Sequence, residues 1–237
     1  MLIDLHTHTL PLSEDSELTP GELVAHAKRA GLDAVCLTEH DAFWKDDDIA
    51  ALCRKHRFLI LPGAEINTEE EHLIVFGLKH WVIGMSHATF VKELVDEAGG
   101  AMIVAHPFRR RILKGEDPGN QRYHRELERA VSNPLYEMAD AVEVFNARGS
   151  ERENAFSVEL AERLKLRGVA GSDAHEPADI GHAATYFERD IGDIRELIAE
   201  LKAGRFRALS PGEVRERLKP SKAQRRSPPL KLKPGEP

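Results

Sequence analysis

Six of the twelve histidines in this chain sit at the boundaries of short apolar runs, most of them close to a carboxylate or another histidine. His6-Thr7-His8 closes the run that begins at Leu2. A second run ends in Glu39-His40-Asp41 and a third in Gly63-Ala64-Glu65. His72 heads a fourth, His106-Pro107 ends a fifth, and Gly171-Ser172-Asp173-Ala174-His175 ends the last. One H-x-H pair is common by chance, but an ordered series of this kind is not. Neutral imidazole with carboxylate is a borderline-hard ligand set. It suits Zn²⁺, Mn²⁺ or Fe²⁺, not the thiolate metals, and is richer in nitrogen than a Mg²⁺ site needs. Six histidines with Glu65, Asp173 and a further acid such as Asp15 exceed the needs of one ion. At roughly three to five ligands each, the set predicts two or three ions, with a carboxylate available to bridge them. His26, His56, His80, His87, His124 and His182 fall on helices or loops and are expected to be solvated or structural.

Positive charge lies close to these donors. Arg109 and Arg110 follow His106-Pro107 directly, and Arg148 follows the run AVEVFN. A guanidinium fork matches two phosphate oxygens, so these three are the candidate substrate clamps. They imply a small anionic substrate.

The elements that must position these groups alternate. Apolar runs at 2–6, 34–40, 58–66, 72–78, 101–107, 141–146 and 169–173 show little polar alternation, as strands buried on both faces do. Thr19-Pro20-Gly21-Glu22 reads as a capping box opening a helix that ends at Gly31. Ser86 is placed to cap a helix running to Gly99-Gly100, and a charged helix spans about 149–167. Strand–helix alternation of this length predicts an α/β fold, a (βα)-type barrel in preference to an open doubly wound sheet. Ligands at the ends of successive parallel strands would then meet on one rim.

Composition sets outer limits. The 237 residues suffice for one domain over 1–210. Within it, residues 108–135 form a basic excursion beside the expected rim, and 211–237 a Pro/Lys/Arg-rich tail, expected to be disordered after Lys219. A net charge of -7 argues against a nucleic-acid binder that uses its whole surface. No apolar run approaches the ~18 residues of a membrane span, and the first residues lack signal-peptide features. Cys36 and Cys53 are expected to be reduced, and the location cytoplasmic. No internal repeat is present.

In order, His6-Thr7-His8-Thr9, Thr38-Glu39-His40-Asp41, Gly63-Ala64-Glu65, His106-Pro107 and Gly171-Ser172-Asp173-Ala174-His175 resemble the motifs of the PHP (polymerase and histidinol phosphatase) family. The resemblance spans residues 1 to about 190. It implies a distorted seven-stranded (βα) barrel and a trinuclear site, usually of Zn, Mn or Fe. Carried over by position, His6, His8, Glu65 and Asp173 would hold one ion, and Glu65 would bridge to another held by His72 and His106. Asp15, His40 and His175 would hold a third. His80 and His87 compete with His72 for its place, and Glu14 and Glu17 with Asp15. Such a cluster would activate water for in-line attack on phosphorus, with Glu65, Asp173 and His175 nearest the chemistry. His175 or a water would protonate the leaving group. Glu39 and Asp41 are expected to orient imidazole N–H groups or to serve the fold.

The implied activity is hydrolysis of a small phosphate ester, for which a nucleoside 3′,5′-bisphosphate or a short oligonucleotide is the leading substrate. Histidinol-phosphate-type hydrolysis is the alternative within the family. Metal-dependent C–N hydrolysis uses similar barrels but would want a lysine at a strand end, where this chain has Glu65. A module that binds metal or nucleic acid without turnover is the non-enzymatic alternative.

Overall fold

The computed structural model describes residues 1–111 and 118–217, and every predicted apolar run contributes a strand. In chain order the elements begin β1 (Leu2–Thr7), α1 (Pro20–Ala30), β2 (Ala34–Leu37), α2 (Asp46–His56), β3 (Leu59–Pro62), β4 (Ala64–Asn67) and β5 (His72–Phe76). They continue α3 (Ala88–Glu97), β6 (Ala101–Val104), α4 (Gln121–Val131), α5 (Leu135–Met138), β7 (Ala141–Asn146) and α6 (Glu151–Leu164). After β8 (Gly168–Gly171) and a short 3-10 turn come β9 (Ala184–Phe187), α7 (Ile194–Ala203), β10 (Phe206–Leu209) and α8 (Pro211–Arg217).

Local chemistry sets most helix ends. The Thr19–Glu22 capping box opens α1, with Pro20 in its first turn, and Gly31 closes it at φ 82°. A second capping box, Ser150 with Glu153, opens α6. The helix expected to start from Ser86 is instead preceded by His87, which makes no capping side-chain bond. The excursion at 108–135 contains α4, whose Tyr123, Leu127 and Ala130 are buried. Its residues 112–117 lie outside the described part, as does the tail beyond Arg217. The first residues assigned to that tail form α8, anchored by fully buried Val214.

The strands form two mixed five-stranded sheets, in the orders β10-β9-β1-β2-β3 and β4-β5-β6-β7-β8. No closed seven-stranded barrel is found among the described residues. Two local causes account for the difference. The run 58–66 breaks at Gly63, where a Cβ would lie 2.7 Å from the Phe76 ring, and its halves join different sheets as β3 and β4. The link 68–71 is too short for a parallel crossover, so β4 and β5 pair antiparallel. β9 and β10, four residues each, were not signalled by any apolar run. They pair antiparallel at the edge beside β1.

The sheets meet at two narrow seams, and both seams are built from the motifs. At one, His8 N–H donates to Ala174 O (3.0 Å) and Asp173 N–H to His6 O (2.7 Å). At the other, Asp41 N–H donates to Glu65 O (2.9 Å) and Glu65 N–H to Glu39 O (3.0 Å). Away from the seams, alternate side chains separate into cores. Ile74, Phe76, Ala101 and Ile103 face the interior between the sheets, while Leu73, Val75, Met102 and Val104 pack under the outer helices. Strands buried on both faces explain why the runs lack polar alternation. Each fully buried large aliphatic or aromatic side chain contributes about 1.5–3 kcal/mol to holding this frame.

Candidate metal centre

Because β5 runs opposite to β4 and β6, its first residue lies at the end where those strands finish. Asn67 pairs with His72 and Leu73 with Val104. His72 therefore joins the rim made by His6 and His8 after β1, His40 after β2, Glu65 on β4, His106 after β6, and Asp173 and His175 after β8. All nine expected ligands except Asp15 fall into three overlapping groups of mutually close donor atoms. These are His6, His8, Glu65 and Asp173; Glu65, His72 and His106; and His8, His40 and His175. Asp15 stands beside the third group, with Oδ2 3.1 Å from His175 Nε2 and 3.5 Å from His40 Nε2. His80, His87 and the other remaining histidines belong to none of the groups.

The donors fit divalent cations. His6 Nε2, His8 Nε2, His40 Nδ1 and Glu65 Oε2 are buried and have no hydrogen-bond partner. Yet Glu65 Oε2 lies 3.2 Å from both imidazole Nε2 atoms and 3.1 Å from His40 Nδ1. Ligands about 2.0–2.1 Å from one tetrahedral ion are separated by about 3.3 Å. Orphaned buried polar atoms cost about 1–3 kcal/mol each, and a shared cation would satisfy them together.

Charge in the cluster is already separated. Burial disfavours the Glu65 carboxylate, but His6, a hydrogen bond from His106 and the nearby His40 ring outweigh it and hold Glu65 well below the ordinary range. Asp173 is likewise held low against burial, by His6 and His8. Burial lowers His6, and the opposing Glu143, Glu65 and Asp173 carboxylates raise it well above the usual histidine value. His175 moves the other way: burial, then His8, lowers its pKa, so its ring is neutral near pH 7.

Several buried groups aim the ligands, and the sequence reading missed them. Glu143 Oε1 accepts from His6 Nδ1–H (3.1 Å), which leaves Nε2 facing the cluster. Its other oxygen accepts from His106 N–H (2.9 Å) and Asn146 Nδ2 (3.0 Å). The available signal was a lone acid inside the otherwise apolar AVEVFN run. Gly171 makes this contact possible, because a Cβ there would lie 2.4 Å from His6 Cβ and 2.7 Å from Glu143 Oε1. Glu39 and Asp41 do not orient imidazoles directly. Glu39 is bonded by Thr9, Ser13 and Trp44, and Asp41 accepts from Asn67 N–H and Nδ2. Backbone strain concentrates in the same loops. Of seven non-glycine residues with positive φ among the described residues, five are Asp41, His106, Phe108, Arg110 and Asp173.

A cavity of about 390 Å³ opens over the donors, lined by His72, His106 and His175 and by Arg109, Arg110, Arg111 and Arg148. Arg111 is a fourth arginine that the sequence reading passed over; it donates to Glu71 Oε1 (3.1 Å). Arg109 Nη1 donates to Asp173 Oδ2, while Asp173 Oδ1 faces His8 Nε2 at 3.3 Å. Arg148 Nη1 lies 2.6 Å from His175 Nδ1, which also lies 2.8 Å from Asp173 O. Only one of those partners can be served at a time. The tautomer that donates to the carbonyl frees Nε2 for an ion and Arg148 for the cavity.

The PHP-associated family model matches residues 151–206. No curated protein matches the chain in sequence. Among solved structures, PsfC from Pseudomonas syringae is 22% identical, with a TM-score of 0.60 over 92% of this chain and 93% of its own. A two-domain protein from Bacteroides vulgatus, containing a predicted PHP-like metal-dependent phosphoesterase, is 20% identical with a TM-score of 0.60 over 89% of this chain and 64% of its own. An amidohydrolase from Chromobacterium violaceum, solved with bound sulfate and no metal, is 20% identical with a TM-score of 0.55 over 88% of this chain and 98% of its own. No helix among the described residues is long and apolar enough to cross a membrane.

Proposed function

We propose that this chain, a member of the PHP family, is a metal-dependent phosphoesterase acting on a small phosphate ester. One observation carries the reading: unsatisfied imidazole and carboxylate atoms converge at the floor of a cavity whose wall holds four arginines. Two or three ions, of zinc, manganese or iron, would be held by His6, His8, Glu65 and Asp173; by Glu65, His72 and His106; and by His40, His175 and Asp15. When bound, such ions activate water and polarise phosphoryl oxygens. Glu65 lies close to histidines of all three groups and would serve as the bridge. Arg110 and Arg148, with the free part of the Arg109 fork, bind and orient the phosphate. A nucleoside 3′,5′-bisphosphate or a short oligonucleotide is the proposed substrate, since several arginines on one wall can serve more than one phosphate. The distorted barrel of the family is the frame in which we read the two sheets, their seams standing where a barrel would close.

The amidohydrolase similarity keeps one other reading in view, C–N hydrolysis. The cavity argues against it, because no lysine lines it among the described residues. The test combines elemental analysis of the purified protein with phosphate release, in added Mn²⁺, from adenosine 3′,5′-bisphosphate, histidinol phosphate and an aryl phosphate. Two or three metals per chain with metal-dependent release, fastest from the bisphosphate, is the expected result. Metals without release from any ester would move the assignment to C–N hydrolysis or to binding alone. One metal or none after reconstitution would overturn the centre itself.

A further inference from the structure

Glu39 is a fully buried acid that belongs to none of the metal-donor groups, yet it sits one residue before His40. Its carboxylate is saturated by donors. Oε2 accepts from Thr9 N–H (2.7 Å) and Ser13 Oγ (2.6 Å), and Oε1 from Thr9 Oγ1 (2.6 Å) and Trp44 Nε1 (2.8 Å). An ionised carboxylate can only accept, so the single hydroxyl proton of Ser13 is committed to Glu39. Ser13 Oγ then has only lone pairs left to offer. Two groups face them: His8 Nδ1 at 3.3 Å and the backbone N–H of His40 at 3.3 Å. His8 can bond to such an oxygen only by carrying its proton on Nδ1. Its Nε2 is then an unprotonated donor, 3.2 Å from Glu65 Oε2 and 3.3 Å from Asp173 Oδ1.

We propose that Ser13, polarised by Glu39, is a positioning residue that fixes the tautomer and aim of His8 and ties down the His40 backbone. It would thereby prepare two of the three metal positions. The proposal rests on the metal-centre reading of these histidines. His8 is the ligand shared by the His6/Glu65/Asp173 group and the His40/His175 group, so one hydroxyl governs both. The group of Glu65, His72 and His106 lies outside its reach. The turn after His8 is folded back by two further bonds, Ser13 N–H to Thr9 O (2.9 Å) and Ser16 Oγ to His8 O (2.8 Å). Ser13 is 2% exposed, so water does not readily replace the hydroxyl.

Nitrogen-15 NMR of the imidazole rings tests the relay directly. It would be read on metal-free protein at alkaline pH and again after zinc loading. The proton of neutral His8 is expected on Nδ1 in both states. Ser13→Ala is expected to show mixed His8 tautomers. In chelator competition it should hold zinc about 10–100-fold more weakly at the two positions that share His8, and normally at the His72/His106 position. Trp44→Phe removes a different donor to Glu39 and leaves Ser13 in place, so it is expected to keep wild-type zinc affinity. A wild-type His8 protonated on Nε2 would overturn the proposal, even if Ser13→Ala failed to fold. So would Ser13→Ala binding all its zinc normally, or Trp44→Phe losing as much as Ser13→Ala. None of these readouts depends on phosphate release, so an inactive protein would count against the phosphoesterase reading alone.

Discussion

His6 and His72 approach opposite oxygens of the same carboxylate, at 3.2 Å from Glu65 Oε2 and 2.8 Å from Oε1, but from very different surroundings. The corner around His6 is closed. His6, His8 and Glu65 have no exposed surface, and Glu143 and Ser13 occupy the Nδ1 side of each ring. The corner around His72 is open: its side chain is 41% exposed, Asp15 across the rim is 59% exposed, and both border the cavity. A desolvated, pre-aimed donor set binds an ion tightly and releases it slowly. A half-wet set with fewer supporting bonds holds an ion loosely and leaves room for water and substrate. On the proposed metal-centre reading the two corners would divide the labour of one cluster, with retention at the His6 corner and exchange and substrate access at the His72 corner.

Glu65 is the one residue that both corners share, so its replacement has the largest expected effect. Glu65→Gln should lose at least one ion by elemental analysis and about 10³-fold in phosphate release, roughly 4 kcal/mol of transition-state stabilisation. Full metal content with near wild-type turnover would mean that Glu65 bridges nothing. The next effect bears on the asymmetry itself. Under graded chelator, zinc at the open corner is expected to leave first, and activity should fall before the protein is stripped. Glu143→Ala removes the acceptor behind His6 and should weaken the closed corner by about 10–100-fold, narrowing or reversing the order of release. An unchanged order in that variant would show that burial, not the Glu143 bond, holds the corner.

The candidate donors of both corners were legible from the residue string: His6 and His8, like His40, His72, His106 and His175, stand at the boundaries of apolar runs, so a local rule finds them. The support behind the closed corner depends on contacts across the chain that no local pattern carries. Glu143 meets His6 137 positions away, and Ser13 reaches Glu39 across 26. The strands themselves were legible because each run is local. Their division between two sheets was not, since it turns on the Phe76 ring pressing on Gly63 and on a four-residue link that forces β5 to reverse. The sequence reading also set Arg109 and Arg110 side by side as candidate phosphate clamps; what it did not carry is that Arg109 bonds Asp173 as well.

That pair gives the smallest and most discriminating expectation. Arg109 donates to the outer oxygen of Asp173, which Asn146 Nδ2 also approaches at 3.3 Å, while the inner oxygen faces His6 and His8. Arg109 therefore belongs partly to the closed corner and, through its cavity face, partly to the open one. Arg110 lines the cavity, and its backbone N–H is fixed by Glu153 on α6. Loss of one charge-assisted bond to phosphate costs about 1.5–3 kcal/mol. Arg110→Ala should thus raise KM about tenfold or somewhat more and leave metal affinity untouched. Arg109→Ala should raise KM comparably and, measured without substrate, also weaken zinc binding a few-fold, because Asp173 loses a donor that fixes its orientation. If both variants change KM alone, the closed corner stops at Asn146 and the guanidinium of Arg109 belongs to the substrate. If Arg109→Ala changes zinc affinity alone, the phosphate is held by Arg110, Arg111 and Arg148, and the closed corner extends to the cavity wall.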